Sequence, residues 1–183
     1  VSLVALDAFG GVGGNAIQLA GLPQVSHIYC CELVASRAQK ARANADLYGV
    51  GAKISFLCSD YFSFLGRNER LSGGRGGIDI LFLSPPWGGP GSGRKAKKGK
   101  QNFKFDIRHF PGLPMNTVGM LDQALSVARV VALYLPRHTN MKELQKIMRA
   151  ANVHRYEIEN NYHHDHFMAR TVYICKEDVK APL

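Results

Sequence analysis

Asp7-Ala-Phe-Gly-Gly-Val-Gly-Gly-Asn15, near the beginning of the sequence, is the clearest indication of the fold. It follows an apolar run at residues 3–6 and precedes a helical pattern at 15–22, so it predicts a strand, a glycine-rich turn and a helix. Residues 11–16 (GVGGNA) match the pattern G-x-G-x-x-A, in which glycines let the backbone approach a bound ligand closely. Such a beginning is typical of an α/β protein whose sheet binds a ligand at its carboxyl edge.

The rest of the chain repeats this alternation of short β-rich runs and helical patterns. Strands are predicted at 3–6, 27–31, 53–57, 78–83, 130–135, 154–159 and 171–176, and helices at 15–22, 36–48, 117–129 and 142–151. The last two strands are close enough to form an antiparallel hairpin. We therefore expect one α/β domain over 1–183, with a seven-stranded, mostly parallel sheet, an antiparallel last strand and helices on both faces. In the second helix we expect an inward face made of Ala38, Ala41, Ala45 and Leu47.

Composition narrows the classes of protein. The 183 residues are 46% hydrophobic and 20% charged, and no apolar run approaches the roughly 20 residues of a membrane helix. The net charge of +9 favours an acidic partner, usually a nucleic acid. Residues 91–104 contribute six basic side chains and no acidic one. Such a segment could bind RNA or could be only a solvated loop. A second irregular segment, SGGRGG at 72–77, is predicted to be a flexible loop.

The cysteines and a histidine-rich run are interpreted as structural, without a catalytic or metal-binding role. The four cysteines form no CxxC pair, so we expect reduced thiols, with Cys30, Cys58 and Cys175 in the core. The run His163-His-Asp-His166 has neighbouring side chains that point in opposite directions, unlike the ligand spacing of structural zinc. We interpret it as a solvated hairpin loop and expect no metal.

Three acidic residues stand where successive predicted strands end. A carboxylate at Asp7 would repel a pyrophosphate but attract an ammonium or sulfonium, and S-adenosylmethionine carries both cations and no phosphate. Glu32 could accept hydrogen bonds from both ribose hydroxyls, and Asp60 would suit the adenine amino group. Each acid alone could also be only a helix-capping residue. Together they favour a nucleoside-containing ligand.

The tetrapeptide Ser84-Pro-Pro-Trp87 follows the fourth predicted strand, at the same edge of the sheet. Two prolines fix the backbone and remove two N–H donors, which leaves carbonyls and the Ser84 hydroxyl to accept from a ligand amino group. Trp87 presents a flat face for stacking on a base. The pattern resembles that of methyltransferases acting on exocyclic amino nitrogens, which need positioning rather than a strong base. A Pro-Pro turn with a core tryptophan is the structural alternative.

Extended to Ser84-Pro-Pro-Trp-Gly-Gly-Pro90, the motif resembles the trimethylguanosine synthase family, the RNA cap hypermethylases. Further segments match in the same order, and the resemblance runs from about Val4 to Tyr173. These segments are residues 7–15, 41–49 (ARANADLYG), 105–107 (FDI), 135–137 (LPR) and 157–160 (EIEN).

The resemblance implies a class I, Rossmann-like methyltransferase that transfers methyl groups from S-adenosylmethionine to N2 of a 7-methylguanosine RNA cap. One or two transfers would give the 2,7-dimethyl or 2,2,7-trimethyl caps of small nuclear and nucleolar RNAs. A monomer located in the nucleus, and also in the cytoplasm, is expected, and the basic run beginning at Arg94 agrees with nuclear import.

The resemblance also assigns residues. The cofactor would lie against Asp7, Phe9, Gly11, Gly13, Asn15, Glu32, Asp60 and Ser84. Ser84 and Pro85 would hold the guanine N2, with Trp87 stacked on the base; these three form the expected catalytic set. Pro86 and Asn44 would lie near the cap base, and Arg137 would meet the cap phosphates.

Two alternatives remain open. One is a methyltransferase acting on another amino nitrogen, such as adenine N6. The other is a cap- or RNA-binding module without catalysis, because the family's catalytic region begins with a helical segment ahead of the first strand. Here the first strand begins almost at Val1, so we expect that extension to be missing from the chain as given.

Overall fold

The computed structural model describes residues 2–67, 77–87 and 105–175, and within them strands alternate with helices. The elements are β1 (Leu3–Asp7), α1 (Gly14–Ala20), β2 (Val25–Cys31), α2 (Ala35–Leu47), a 3-10 turn (Gly51–Lys53), β3 (Ile54–Leu57), α3 (Tyr61–Arg67), β4 (Ile78–Leu83), α4 (Thr117–Val127), β5 (Ala128–Pro136), α5 (Met141–Ala150), β6 (Tyr156–His163) and β7 (His166–Cys175). The predicted basic segment 91–104 and most of the predicted loop 72–77 lie outside the described residues.

The strands form one seven-stranded sheet in the order β3-β2-β1-β4-β5-β7-β6. Strands β1 to β5 are parallel to one another, whereas β7 is antiparallel to both β5 and β6. This confirms the predicted sheet with its antiparallel last strand. Strand order reverses between β1 and β4, and ligands of open α/β sheets bind outside the carboxyl ends of strands at such a switch point.

Helices cover both faces of the sheet, so the core has two parts. Helices α1 and α2 pack through Ala16, Ile17 and Ala45 against the face that carries Ile28 and Ile54. Helices α3, α4 and α5 bury the other face, whose cluster includes Leu6, Leu81, Leu133, Met120 and Leu144. Among the described residues, no helix is long and apolar enough to cross a membrane.

One predicted core position is wrong. Ala41 and Ala45 of α2 are fully buried, but Leu47 is 85% exposed. Each helical residue advances by about 100°, so Leu47 lies about 200° around the helix from Ala45 and faces away from the sheet. The inward face of α2 is therefore built from small side chains that let the helix approach the sheet closely.

The prediction that three cysteines lie in the core is confirmed for Cys30 and wrong for Cys58 and Cys175, which are exposed. Cys58 follows the end of β3, and Cys175 alternates with buried Ile174 on β7 and so points to the opposite face. All four cysteines are free.

The final hairpin is longer than predicted. His163 ends β6 and His166 begins β7, so His164 and Asp165 form the turn, and His164 has a φ of 51°. All four residues of the His163–His166 run are exposed at the end of the hairpin, as predicted, although the loop itself is only His164 and Asp165 and the other two residues belong to the strands. Helix α3, which has only 7 residues, was not predicted from the sequence.

Candidate functional site

A cavity of about 390 Å³ opens at the carboxyl edge of the sheet, next to the switch point between β1 and β4. It is lined from the ends of β1, β2, β3 and β4 and from a segment preceding α4. The lining residues are Ala8, Phe9, Gly11, Cys31, Glu32, Leu33, Arg37, Ser59, Asp60, Tyr61, Ser84, Pro86, Pro111, Gly112 and Leu113. Its size lies in the range of small-molecule sites.

Glu32 ties the glycine loop to the start of α2. One carboxylate oxygen accepts from the backbone N–H of Gly11 at 2.9 Å, and the other accepts from that of Val34 at 2.8 Å. The Arg37 guanidinium lies 3.4 Å from the same side chain. Glu32 is only 7% exposed, yet it lines the cavity. Because each carboxylate oxygen has a second lone pair, Glu32 can also accept hydrogen bonds from a ligand.

Asp7 lies beneath the loop rather than on the cavity wall. The side chain is completely buried, and one oxygen accepts from the backbone N–H of Phe9 at 3.2 Å. The other oxygen is buried with no hydrogen-bond partner. Burial raises the pKa of Asp7 to about 7, and the nearby charge of Glu32 adds to the increase. A cation arriving near this carboxyl would favour its ionised form.

The glycine loop needs glycine for two different reasons. A Cβ at Gly10 would lie 2.3 Å from the Cys30 sulfur and 3.2 Å from the Cys31 carbonyl oxygen, so the loop passes directly against β2. Gly13 has a φ of 91°, a conformation that favours glycine, and its N–H donates to the Gly10 carbonyl at 2.8 Å. The loop is thereby folded tightly against the sheet, with Gly11 on the cavity wall.

Asp60 has the capping geometry that the sequence analysis left open. One of its oxygens accepts from the Ser63 backbone N–H at 2.9 Å and from the Ser63 hydroxyl at 3.1 Å, at the start of α3. The residue also lines the cavity, beside Ser59 and Tyr61. The rings of Tyr61 and Phe9 lie 6.1 Å apart, both on the cavity wall. Capping and ligand contact are therefore compatible at this strand end.

The Ser84–Trp87 motif leaves β4 at the other end of the cavity. Ser84 and Pro86 line it, and Pro85 is buried. The Trp87 indole stacks on Tyr134 of β5, with ring centroids 5.3 Å apart and an interplanar angle of 30°. Its Nε1 donates to the Tyr134 carbonyl at 3.3 Å. The tryptophan is half-buried, so its orientation is fixed from one side by β5.

Three further predicted residues, Asn44, Asn15 and Arg137, are not on the cavity wall. Asn44 on α2 donates to the Val12 carbonyl at 2.9 Å and so supports the glycine loop. Asn15 is half-buried in the first turn of α1. Arg137 is exposed immediately after β5, and its carbonyl accepts from Arg170 of β7. The structure thus brings six of the predicted residues together around one cavity: Phe9, Gly11, Glu32, Asp60, Ser84 and Pro86.

Sequence reasoning missed one wall of the cavity, formed by Pro111, Gly112 and Leu113. This segment is anchored by Ile107 and Phe110, which are buried, and by the Thr117 hydroxyl, which donates to the Ile107 carbonyl. The dipeptide Pro111-Gly112 was a turn signal, and Gly112 has a φ of 81°. It showed a turn but not that the turn closes the cavity. Arg37 was also missed, because its contact with Glu32 depends on the start of α2.

No metal centre accompanies these residues: across 2–67, 77–87 and 105–175, no group of three or more His, Cys, Asp or Glu side chains is arranged to hold an ion. Cys31 lines the cavity, and burial raises the pKa of its thiol to about 12. A thiol with so high a pKa is a poor nucleophile near neutral pH. The cavity therefore offers carboxylates, hydroxyls and carbonyls rather than a metal or a thiolate.

Comparisons with known proteins agree with this fold. The rRNA methylase from Streptococcus thermophilus has a TM-score of 0.58 at 13% identity, over 96% of this chain and 87% of that one. The N-terminal domain of human METTL16, solved with SAH, has a TM-score of 0.61 at 10% identity, over 96% of this chain and 62% of that one. At such low identity, these matches show a Rossmann-like methyltransferase fold.

Sequence relatives are more specific. The trimethylguanosine synthase of Schizosaccharomyces pombe is 29% identical over 143 residues, which are 76% of this chain and 52% of that protein. The trimethylguanosine synthase of Saccharomyces cerevisiae is 32% identical over 145 residues, which are 79% of this chain and 42% of that protein. The match therefore spans about half the length of these relatives.

The predicted resemblance is confirmed by a family model, which reaches well beyond the cavity and includes the glycine loop, the Ser84–Trp87 motif and the final hairpin. Because this model of RNA cap guanine-N2 methyltransferases matches residues 2–178, the chain belongs to that family.

Proposed function

We propose that this chain transfers a methyl group from S-adenosylmethionine to the exocyclic N2 of a 7-methylguanosine RNA cap, giving 2,7-dimethyl- or 2,2,7-trimethylguanosine. One observation carries the proposal: a single cavity joins Glu32 and Asp60 to Ser84 and Pro86 across four adjacent strand ends. Family membership supports the same reaction.

The residues at one end of the cavity fit the cofactor. Glu32 is held by two backbone N–H groups and retains lone pairs for ribose hydroxyls. Asp60 can face the adenine amino group, since only one of its oxygens is engaged by Ser63. The buried, unpartnered oxygen of Asp7 agrees with a positively charged ligand passing over the loop.

At the other end, the Ser84–Trp87 motif would position the nucleophile. When bound, S-adenosylmethionine supplies an electrophilic methyl group. The Ser84 hydroxyl and the carbonyls around Pro85 would accept hydrogen bonds from the N–H groups of the guanine amine. These hydrogen bonds would turn the lone pair of N2 toward that methyl group. The displacement is then governed by positioning, and the proton can leave afterwards without a strong base. Pro86 on the cavity wall would limit how the base can tilt.

Trp87 would stack on the cap base through the face turned away from Tyr134. The contact with Tyr134 and the hydrogen bond from Nε1 hold the indole in place before a base arrives. A 7-methylguanine ring is cationic, so an indole face favours it over neutral guanine by about 0.5–2 kcal/mol. Arg137, exposed at the end of β5, would meet the cap phosphates, and Asn44 would act through the loop it supports.

The proposed substrate is a capped small nuclear or nucleolar RNA, and the proposed location is the nucleus, with the cytoplasm as a further site. The net charge of +9 supports an RNA partner, and the family description supports a cap. We propose a monomer, which light scattering at several protein concentrations would test.

Binding is tested with the fluorescence of Trp87, the only tryptophan of the chain. In the presence of S-adenosylhomocysteine, titration with 7-methyl-GTP should quench the emission saturably, whereas plain GTP should have little effect. Trp87→Phe should lose this signal and bind 7-methyl-GTP more weakly by calorimetry, with S-adenosylhomocysteine affinity preserved. Glu32→Ala should weaken the binding of S-adenosylhomocysteine and leave the affinity for 7-methyl-GTP unchanged. Glu157→Ala, an exposed acid on β6, is the control and should change neither affinity.

Turnover is tested by methyl incorporation into a capped RNA, with an adenine-containing uncapped oligonucleotide as the competing substrate. We expect label in guanine N2 of the cap alone. Label only in the adenine substrate would contradict the proposal in favour of an adenine N6 enzyme. Cap binding without turnover at any concentration of S-adenosylmethionine would indicate a binding module instead.

A further inference from the structure

The carboxyl edge of the sheet continues beyond Trp87, past the proposed cap site. The next strand ends there are the exit of β5 and the turn of the β6–β7 hairpin, because Pro136 pairs with Ala169 and His163 with His166. From β4 to β6 the edge spans three strand spacings, about 14 Å. Apart from Asp165 in the hairpin turn, this part of the edge carries aromatic and basic side chains, in contrast to the acids found near β1, β2 and β3.

We call these residues the hairpin-end surface: Arg137, Tyr162, Phe167 and Arg170. Tyr162 is 61% exposed, and its ring lies 5.6 Å from that of Phe167. The guanidinium of Arg170 lies 4.6 Å above the Phe167 ring and donates to the carbonyl of Arg137. The hairpin end is therefore tied to the exit of β5 in a defined arrangement, with a large aromatic face still exposed.

The chemistry of this surface matches a single-stranded nucleic acid. Exposed aromatic rings stack on bases of any sequence, and guanidinium groups beside them contact phosphates and can stack as well. The nearby carboxylate of Glu159 lies further along β6 and accepts from the Tyr173 hydroxyl at 2.6 Å. Asp165 at the turn is the one acid of the hairpin tip, among three histidines.

We propose that the hairpin-end surface binds the single-stranded RNA body next to the cap, with a base stacked on Tyr162 and a phosphate at Arg170. The inference rests on the proposed cap site, because its direction follows from continuity with Trp87 along one edge. A duplex does not expose its base faces for such stacking, so single-stranded RNA is the fitting occupant. A capped RNA should then bind more tightly than the cap nucleotide alone.

The test compares two probes on the full chain: 7-methyl-GTP, and a capped single-stranded oligoribonucleotide of about ten nucleotides. Tyr162→Ala should lower affinity for the capped oligonucleotide about tenfold and leave that for 7-methyl-GTP unchanged. Arg170→Gln should flatten the salt dependence of oligonucleotide binding by about 0.7 in log–log slope, the effect of one phosphate contact. Because Arg170 also supports the hairpin, its thermal unfolding midpoint is measured alongside.

Two matched controls lie away from this surface. Tyr48→Ala removes a tyrosine that is 69% exposed at the end of α2, and Arg129→Gln removes an exposed arginine at the start of β5, near the opposite edge. Neither should change oligonucleotide affinity. Wild-type affinity for the capped oligonucleotide in Tyr162→Ala would overturn the inference while the cap site stands. Failure of the unaltered protein to bind 7-methyl-GTP would overturn the proposed function itself, and this inference with it.

Discussion

The three carboxylates at successive strand ends of this sheet differ in their hydrogen bonds and in their exposure to the cavity. Glu32 accepts from two backbone N–H groups and lines the cavity, so it both builds the site and faces a ligand. One oxygen of Asp60 accepts hydrogen bonds at the start of α3, and the residue also lines the cavity. Asp7 is fully buried beneath the loop, so its protonation state affects the stability of the fold.

The buried carboxyl of Asp7 predicts a specific pH dependence of stability. Because burial raises its pKa from 3.8 to about 7, the folded protein binds this proton more tightly than the unfolded chain. The contribution to the free energy of unfolding is full below the unfolded pKa and is lost as pH rises through the folded one. Between about pH 4 and 7, Asp7→Asn should therefore flatten the decline in stability seen for the unaltered protein.

Urea unfolding of both proteins at several pH values measures this difference. Asp122→Asn on the exposed side of α4 is the control and should keep the original slope. An unchanged slope in Asp7→Asn would mean that Asp7 titrates in the folded protein as it does in the unfolded chain.

At the scale of elements, the contact between the glycine loop and β2 sets the position of the site. Gly10 lies against Cys30, and Gly11 immediately beyond it is held by Glu32. The backbone N–H of Gly10 also donates to the Cys31 carbonyl at 2.7 Å. The loop therefore has little freedom to move without displacing the strand that carries Glu32.

Gly10→Ala should consequently damage both stability and cofactor binding. The new Cβ would meet the Cys30 sulfur at 2.3 Å, and overpacking of this kind costs about 1–3 kcal/mol. Gly14→Ala is the matched control, because nothing lies within 4 Å of its Cβ position, at the start of α1. It should be neutral or slightly stabilising. The two variants are compared by chemical denaturation and by calorimetry with S-adenosylhomocysteine, and equal behaviour would refute the steric argument.

At the scale of the whole molecule, the sheet separates two hydrophobic clusters. Ile17 of α1 belongs to one and Ile147 of α5 to the other, and both side chains are nearly buried. Close packing makes each cluster sensitive to lost methyl groups, but residues without shared partners usually contribute independently.

We therefore expect Ile17→Val and Ile147→Val to destabilise by about 0.5–1.5 kcal/mol each and to add in the double variant within about 0.5 kcal/mol. Leu47→Ala, at an 85% exposed position, should have almost no effect. Urea denaturation of the single and double variants tests this. An interaction energy well above 0.5 kcal/mol would show that the sheet transmits strain between its two faces.

Much of the fold follows from local patterns. Alternating apolar runs and helical periodicities predicted all seven strands and four of the five helices, and β4 was predicted with its observed bounds. The positions of Glu32, Asp60 and Ser84 at strand ends predicted that they would meet, because parallel strands bring their carboxyl ends to one edge. Helix α3 was not predicted, because a segment of only 7 residues has too few turns to show a clear helical periodicity of apolar residues.

Local patterns in the sequence were therefore enough to predict the order of elements, the glycine loop and the motif typical of the family. Four other features could be seen only in the folded chain: Leu47 faces solvent, Pro111–Leu113 lines the cavity, Trp87 stacks on Tyr134, and Arg170 joins the hairpin to Arg137. The physical reason is the distance along the chain over which each interaction acts. Periodicity and turn chemistry act over a few residues, whereas these contacts join segments that are distant in the chain and meet only when the sheet is assembled.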